Sequence, residues 1–329
     1  MRKILVTGAG GYIGSVLVRL LLERGFKVLA LDRFHFGRDK LPNESKELDL
    51  EQEDIRAVGK ESFKDAYAVI DLAALSNDPL GELDPGKTWS INHLGRVRVA
   101  SLAKSSGVGR YIFPSSCSAY GFQEGEVDET SKVNPLTTYA KANDQAERDI
   151  LATANRDFCV TVVRQATVYG LSPRMRLDLA INGMVRGFFK NGKIPILRNG
   201  KQWRPFVHVR DTAKAMIMLL EKDREDINNE IFNVGSNEQN YQIFDLAKKV
   251  AEAIGVPFEY EWYGSPDYRS YRVNFDKIRR EMGFAPDYDA KSGAREIWKA
   301  LNDRTLDPDD PQAITIDWYK KLIGKGIEI

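Results

Sequence analysis

The chain has 329 residues, with 48 lysines and arginines against 47 aspartates and glutamates, and 43% of it is hydrophobic. A net charge of +1 without a basic block argues against nucleic-acid binding driven by phosphate neutralisation, and no apolar run approaches the ~20 residues that cross a bilayer. Cys117 and Cys159 lie too far apart for a disulfide framework or a zinc spacing, and His35, His93 and His208 form no metal set, so no metal is expected.

The length suits two domains, or one large α/β unit with an added lobe. The start, MRKILVTGAGG, turns into a glycine loop after five apolar-leaning residues. That is too short for the core of a signal peptide, so a cytoplasmic location is expected.

Along the first half, short apolar runs at 3–7, 27–32, 67–74, 110–116 and 159–166 read as strands, and the stretches at 12–24, 86–106 and 139–155 read as helices. Strand and helix in alternation predict a parallel, doubly wound sheet, and strands apolar almost throughout fit a sheet covered on both faces. After about residue 170 the rhythm changes. A helix is predicted at 177–190, strands returning to the first sheet at 204–209 and 230–234, and then a smaller α/β lobe from 241–254, 258–263 and 294–301. The acidic, proline-containing 305–312 reads as a linker into a last short helix. The expected division is a nucleotide-binding domain at 1–170, with returning segments near 204–235, and a substrate lobe from 171–203 and 236–329.

The first strand runs into Thr7-Gly8-Ala9-Gly10-Gly11-Tyr12-Ile13-Gly14 and then a helix. Gly8 permits the tight turn, Gly11 lets the backbone approach a pyrophosphate, and Gly14 lets the helix pack close to the strand. The helix N-terminus favours the phosphate charge. With a strand before, a helix after and a second strand at 27–32, the pattern predicts a dinucleotide cofactor. Asp32 ends that second strand, 18 residues after Gly14. Its carboxylate can accept from the adenosine ribose hydroxyls and would repel the extra phosphate of NADP, which favours NAD; Arg33 beside it pulls the other way.

The spacing of these glycines resembles that of the extended short-chain dehydrogenases, and the resemblance accumulates through about residue 300. Asp49-Leu50 resembles the adenine-contacting pair of that family. Leu72-Ala73-Ala74 resembles its strand-end turn beside the nicotinamide ribose, with Ser76 just beyond as a pocket candidate. Asn92 stands where the family has a structural asparagine. Ser115-Ser116-Cys117-Ser118-Ala119-Tyr120-Gly121, Tyr139 with Glu147, Arg164 to Gly170, and Arg204 to Asp211 follow its further motifs in order. The chain is thus identified as resembling the NAD-dependent nucleotide-sugar epimerase/dehydratase group. That resemblance implies a Rossmann-type fold, a cofactor site including Tyr12, Ile13 and Tyr139, and a homodimer paired through the helices at 86–106 and 139–155. Leu171 to Asp178 resembles a subgroup acting on nucleotide sugars.

The resemblance makes Tyr139 the base for a sugar hydroxyl and Ser116 its hydrogen-bonding partner. It makes Arg204 and Arg269 the cations for a nucleoside diphosphate, with Asn182, Thr167, Ser118, Arg174 and Arg176 as further substrate candidates. His208 reads instead as a packed strand residue. Cys117 and Ser118 stand where the 4,6-dehydratases carry Asp-Glu, and neither can do the work of those carboxylates, which disfavours elimination of water. Cys117 reads as small filler or as a thiol near the substrate.

One departure concerns the mechanism. The family pattern is YxxxK, and position 143 here is asparagine. A lysine four residues on would share the tyrosine's face of the helix, whereas Lys141, two residues on, points about 200° around it. Three consequences stay open: the charge of the NAD ring suffices, another cation such as an arginine of the second lobe fills in, or hydride chemistry is weak. The expected activity is a nucleotide-sugar epimerase that oxidises C4 transiently, with a net 4-oxidase or 4-ketoreductase and a catalytically weakened cofactor-binding regulator as alternatives.

Overall fold

The computed structural model describes residues 1–329. In chain order its strands are β1 (Lys3–Thr7), β2 (Lys27–Asp32), β3 (Leu48–Gln52), β4 (Ala66–Asp71), β5 (Arg110–Ser116), β6 (Phe122–Val127), β7 (Cys159–Gln165), β8 (Thr167–Tyr169), β9 (Ile194–Leu197), β10 (Trp203–His208), β11 (Glu230–Val234), β12 (Asn240–Gln242), β13 (Tyr260–Tyr263) and β14 (Ser270–Val273). The helices are α1 (Gly14–Glu23), α2 (Asp78–Gly81), α3 (Pro85–Trp89), α4 (Arg96–Ser105), α5 (Thr138–Leu151), α6 (Ala180–Asn191), α7 (Val209–Glu221), α8 (Arg224–Ile227), α9 (Ile243–Ile254), α10 (Asp276–Met282), α11 (Ala290–Asn302) and α12 (Thr315–Gly324).

Seven strands make the main sheet in the order β11-β7-β5-β4-β1-β2-β3. The pairs β1–β2, β1–β4, β2–β3 and β4–β5 are all parallel. The chain runs from β1 through β2 to β3 on one side and then crosses back to β4 on the other side of β1, so the strand order reverses at β1, the place where open α/β sheets bind ligands beyond their strand ends. Leu5, Val69, Tyr111 and Val160 of the sheet pack with Val99 and Ala103 of α4 and Ala146 and Ile150 of α5 in one buried cluster. At roughly 25 cal/mol per Å² of apolar surface removed from water, such packing is the main force holding helices on the sheet.

The chain divides into two compact units. The first comprises Met1–Ala119, Pro135–Arg164 and Ala213–Phe232; the second comprises Tyr120–Asn134, Gln165–Thr212 and Asn233–Ile329. In the second, β12-β10-β8 form a three-stranded sheet, while β13–β9 and β14–β6 are two-stranded. Trp298 of α11 takes Phe188 and Phe189 of α6 on its ring, at centroid distances of 6.1 and 5.8 Å.

Several expectations need correction. The run at 204–209 is a strand, but β10 does not return to the first sheet: it pairs parallel with β8 and antiparallel with β12. Hydrophobic pattern reports that a segment is extended, not which edge it joins. Only β11 returns, as the outermost strand beside β7. The strand β3 was not foreseen, because Leu-Asp-Leu-Glu-Gln is an edge strand carrying two carboxylates, Asp49 exposed and Glu51 half-buried on the Ser62 hydroxyl. The single helix expected at 86–106 is three segments: α3, a π-helical stretch at Ser90–Gly95, and α4. Lys141 is exposed on α5, as its angular position predicted.

Candidate functional site

In the first unit the glycine loop leaves β1 at the switch point. Gly8 has φ +63°, and a Cβ on it would lie 2.7 Å from the Ala73 nitrogen and the Leu72 carbonyl carbon. A Cβ on Gly14 would lie 2.3 Å from the Gly8 oxygen, so α1 can start this close to the strand only with glycine there. Ile13 precedes α1 with no side-chain cap, and no acidic residue stands in its first turn. The Ser15 and Val16 N–H groups donate to the Gly11 and Ile13 carbonyls at 3.0 and 3.1 Å, so what the start of α1 offers an anion is the Gly14 N–H and the positive end of the helix. Gly11 donates its N–H to the Gly8 carbonyl at 3.0 Å, and Tyr12 is buried at the turn. Gly14→Ala is expected to weaken NADH binding by at least about tenfold, since the backbone clash must open the loop; a fluorescence titration against the unmodified protein checks it.

Asp32 is held in place by two backbone donors, Gly10 N–H at 3.0 Å and Phe34 N–H at 2.6 Å. Gly10 was not singled out in the sequence and is the residue that anchors the carboxylate. Arg33 is paired with Asp54 at 3.0 Å, and Asp54 also holds Arg56 at 2.6 Å. Burial, with Arg33 nearby, lowers His35 to about 4, so it adds no charge there at neutral pH. Asp49 is exposed and Leu50 half-buried on β3, in register with Leu29 and Ala30 of β2.

Beyond β4, the half-buried turn Leu72-Ala73-Ala74 is tied to β1. The Leu72 N–H donates to the Thr7 carbonyl at 3.2 Å and the Ala73 N–H to the Thr7 hydroxyl at 3.2 Å. Asn92, fully buried in the π-helical stretch, clamps the next residue from both sides: its Oδ1 accepts from the Leu75 N–H at 2.8 Å and its Nδ2 donates to the Leu75 carbonyl at 3.0 Å. It braces the turn, and the extra residue of a π-helical turn is what aims it there. Ser76 is exposed just past the brace.

At the end of β5, Ser116 is half-buried and its hydroxyl accepts from the Ser118 N–H at 3.1 Å. The Ser118 hydroxyl is buried with no hydrogen-bond partner in the chain, a polar group suited to meeting a ligand. Cys117 is buried and donates its thiol to the Arg164 carbonyl at 3.3 Å, so it is packing rather than a thiol open to substrate. Tyr139 is half-buried in the first turn of α5, capped by Thr137, and packs on Gly81 so closely that a Cβ there would lie 2.8 Å from the Tyr139 Cβ. Glu147 is buried lower on α5. It accepts from the Ser115 hydroxyl and pairs with Arg164 at 2.7 Å, locking the helix to β5 and β7. Asn143 is also buried, and its amide is engaged inside the protein: Oδ1 accepts from Arg96 at 3.1 Å and Nδ2 donates to the Tyr139 carbonyl at 2.9 Å. The cation that meets this amide is Arg96 of α4.

The second unit carries the remaining candidates. Arg204 and Arg269 converge on one carboxylate, Asp267, at 2.8 and 2.7 Å. Arg204 also donates to the carbonyls of Trp203 and Arg269 and lies 5.1 Å from the centre of the Tyr271 ring. Thr167 is half-buried and pairs with Phe206. Asn182 is fully buried and bonds backbone at both ends, accepting from Gly170 N–H at 3.0 Å and donating to the Arg176 carbonyl at 2.8 Å. With these two bonds it braces the 170–176 loop. Arg176 is buried against Asp178 at 3.0 Å, and Arg174 is buried with a bond to the Thr315 hydroxyl at 3.0 Å. His208 is fully buried, 2.6 Å from Glu296 and stacked on Tyr288 at 4.1 Å, a packed strand residue as expected.

The glycine loop and the order of these motifs have a counterpart among known proteins: the model of the NAD dependent epimerase/dehydratase family matches residues 4–235. The chain belongs to this family. A putative UDP-glucose 4-epimerase of Methanocaldococcus jannaschii is 30% identical over 315 residues, spanning 92% of this chain and all of that one. A UDP-glucose 4-epimerase of Corynebacterium glutamicum is 25% identical, over 92% of this chain and 98% of its own length. Among solved structures, MoeE5 in complex with UDP-glucuronic acid and NAD superposes with a TM-score of 0.81 at 27% identity, covering 92% of this chain and all of its own. This family member has no helix long and apolar enough to cross a membrane, and no cluster of side chains able to hold a metal.

Proposed function

We propose that the protein is an NAD-dependent nucleotide-sugar epimerase that works by transient oxidation of the sugar at C4. The observation that carries the reading is positional. The glycine loop and the 72–74 turn follow β1 and β4, and Asp32 and Ser116 are the last residues of β2 and β5; these are neighbouring parallel strands, so the four gather along one edge of the sheet. The family relationship supports the same conclusion, and several relatives carry 4-epimerase names.

Bound NAD supplies a hydride acceptor and later a hydride donor. The glycine loop and the uncapped start of α1 would hold its pyrophosphate, and Asp32 its adenosine ribose. Asp54 is shared by Arg33 and Arg56, and His35 is uncharged; the carboxylate of Asp32, fixed by the Gly10 and Phe34 N–H groups, faces the adenosine ribose, which favours NAD over NADP. Tyr139 takes the proton of the C4 hydroxyl and gives it back to the same oxygen once C4 is reduced from its opposite face, with Ser116 donating to that oxygen. Arg204 and Arg269 hold the diphosphate, which competes with Asp267 for them. Cys117 and Ser118 carry no carboxylate, so neither serves as the acid or base of a water elimination. We assign a homodimer and a cytoplasmic location to the protein. Trp89 and Leu94, exposed at 36% and 61% around the π-helical stretch, suit a helix-paired interface.

Incubation with UDP-, GDP-, dTDP- and CDP-sugars and NAD, following 340 nm absorbance and product NMR, tests the reading. Isomerised sugar without net NADH is expected. NADH accumulating with a keto-sugar would replace the epimerase by a net oxidase, and binding without turnover would leave a cofactor-binding regulator.

A further inference from the structure

Asparagine at 143 removes the lysine that the YxxxK pattern places behind the tyrosine, and the structure puts a different cation at that point. Arg96, the first residue of α4, is 1% exposed. Its Nη1 donates to the Asn143 Oδ1 at 3.1 Å, and its Nη2 donates to the carbonyls of Asp71 and, at 2.8 Å, Pro114. Its Nε donates to the Asp71 Oδ2 at 3.3 Å, and Cζ stands 3.9 Å from the centre of the Phe113 ring. Asp71 is fully buried and also accepts from the hydroxyls of Thr7 and Tyr111. Burial and the charge of Asp71 push the Tyr111 hydroxyl far above its usual range, so it remains a donor.

This guanidinium touches the three segments on which the proposed reaction depends. Asp71 leads into the 72–74 turn, Pro114 leads into Ser115-Ser116, and Asn143 lies one helical turn from Tyr139, whose carbonyl it grips. Two hydroxyls spread the carboxylate charge on the β1 and β5 side, and the guanidinium lies on the α5 side. Of the pair it is the guanidinium, through Nη1, that reaches α5, so the Asn143 amide meets a cation. An amide that accepts from a cation is a stronger donor through its nitrogen, so the polarisation passes on to the Tyr139 carbonyl.

We propose that Arg96, acting through Asn143, is the positioning residue that stands in for the absent lysine and sets the ionisation of Tyr139. This rests on the reading of Tyr139 as the base. The other charged or titratable groups on the elements packed against α5 are directed elsewhere or lie outside this contact. Asp78 and Glu82 accept from Thr137 and Thr138. His93 pairs with Asp149. Arg98, Lys104 and Arg110 donate to the carbonyls of Val58, Thr153 and Leu219. Lys87 is half-buried on α3, and on α5 itself Asp144 pairs with Arg148, Glu147 with Arg164, and Lys141 is exposed.

The test titrates the Tyr139 hydroxyl in the NAD-loaded protein by NMR of ring-labelled tyrosine, with Tyr139→Phe to assign the resonance, alongside the pH profile of isomerisation. Asn143→Ala leaves the Arg96–Asp71 pair in place and is expected to raise the Tyr139 titration and the acid limb of the profile by about one pH unit. Asn143→Lys alone sets two cations against one buried carboxylate and should lower the melting temperature. Arg96→Thr combined with Asn143→Lys should restore the titration and recover activity that Arg96→Thr loses. If Arg96→Thr does not fold, Asn143→Ala and the double variant still decide the matter. An unmoved Tyr139 titration in Asn143→Ala, or a double variant no better than Arg96→Thr, overturns the proposal. If no nucleotide sugar is isomerised yet the titration moves as expected, the epimerase reading falls and the role of Arg96 stands.

Discussion

Tyr139→Phe is expected to lower kcat for nucleotide-sugar isomerisation by about 10²–10⁴-fold and to leave KM within about threefold, because a positioned proton-transfer group contributes to the transition state and little to ground-state binding. The ring stays, so its packing on Gly81 and the first turn of α5 are kept, and the melting temperature should move little. Steady-state kinetics with the best sugar from the panel, together with NADH titration, separate the two effects. A variant that retains wild-type kcat would remove Tyr139 from the reaction and leave Ser116 and the dinucleotide without a base. The substitution is sharper than a change at Ser116, whose hydroxyl also serves the backbone turn through the Ser118 N–H.

The second large effect is on stability. Arg164 and Glu147 are 5% and 2% exposed and meet at 2.7 Å with a second contact of 3.0 Å from Nε, while Glu147 also accepts from Ser115. Arg164→Met leaves Glu147 as an uncompensated charge in a closed site, and breaking one side of such a buried pair costs about 3–5 kcal/mol. The expected result is a melting temperature lower by on the order of 10 °C. Replacing both partners with apolar residues of similar volume should recover much of the loss, because the desolvation of each ion disappears with it. The same change would loosen the hold of α5 on β5, so Arg164→Met should also reduce activity in the cold, where the chain is still folded. Equal stability of the wild type and the single variant would show that Glu147 takes up a proton or water at little cost.

Much of this molecule can be read locally. The strands β1, β2, β4, β5 and β7 are near-continuous apolar runs, a pattern that only a sheet covered on both faces satisfies, and the glycines at 8 and 14 mark approaches that a side chain would block. Other features left traces that carry meaning only beside the structure. Arg96 heads the buried stripe 96-99-100-103 of α4, where helical spacing calls for an apolar residue, and Asp71 closes the buried strand β4. In the sequence each is a charged residue at the margin of an element. Together they are a buried ion pair, and neither makes physical sense without the other.

Asn143 shows the same division. Its place on the helix, one turn after Tyr139, follows from spacing alone, and so does the exclusion of Lys141. Which cation stands beside it depends on how α4 packs against α5, and residues 47 positions apart in sequence meet only once both helices lie on the sheet. Asn92 and Asn182 were recognisable as positions of interest, but a buried amide is as able to clamp a loop as to meet a ligand, and the backbone groups of Leu75, Gly170 and Arg176 that they clamp are visible only in the tertiary structure.

What the sequence by itself determined is therefore the alternation of strands and helices, the phosphate-binding turn, the carboxylate at the end of β2, and the order of the family motifs, because each depends on side-chain periodicity or on backbone freedom within a few residues. What only the tertiary structure decided is the partner of β10, the break of one helix by a π-helical stretch, and the buried network joining Thr7, Asp71, Arg96, Tyr111 and Asn143. Those depend on which donors and acceptors are brought together when water is removed, and local pattern carries no record of a partner 25 or 47 residues away.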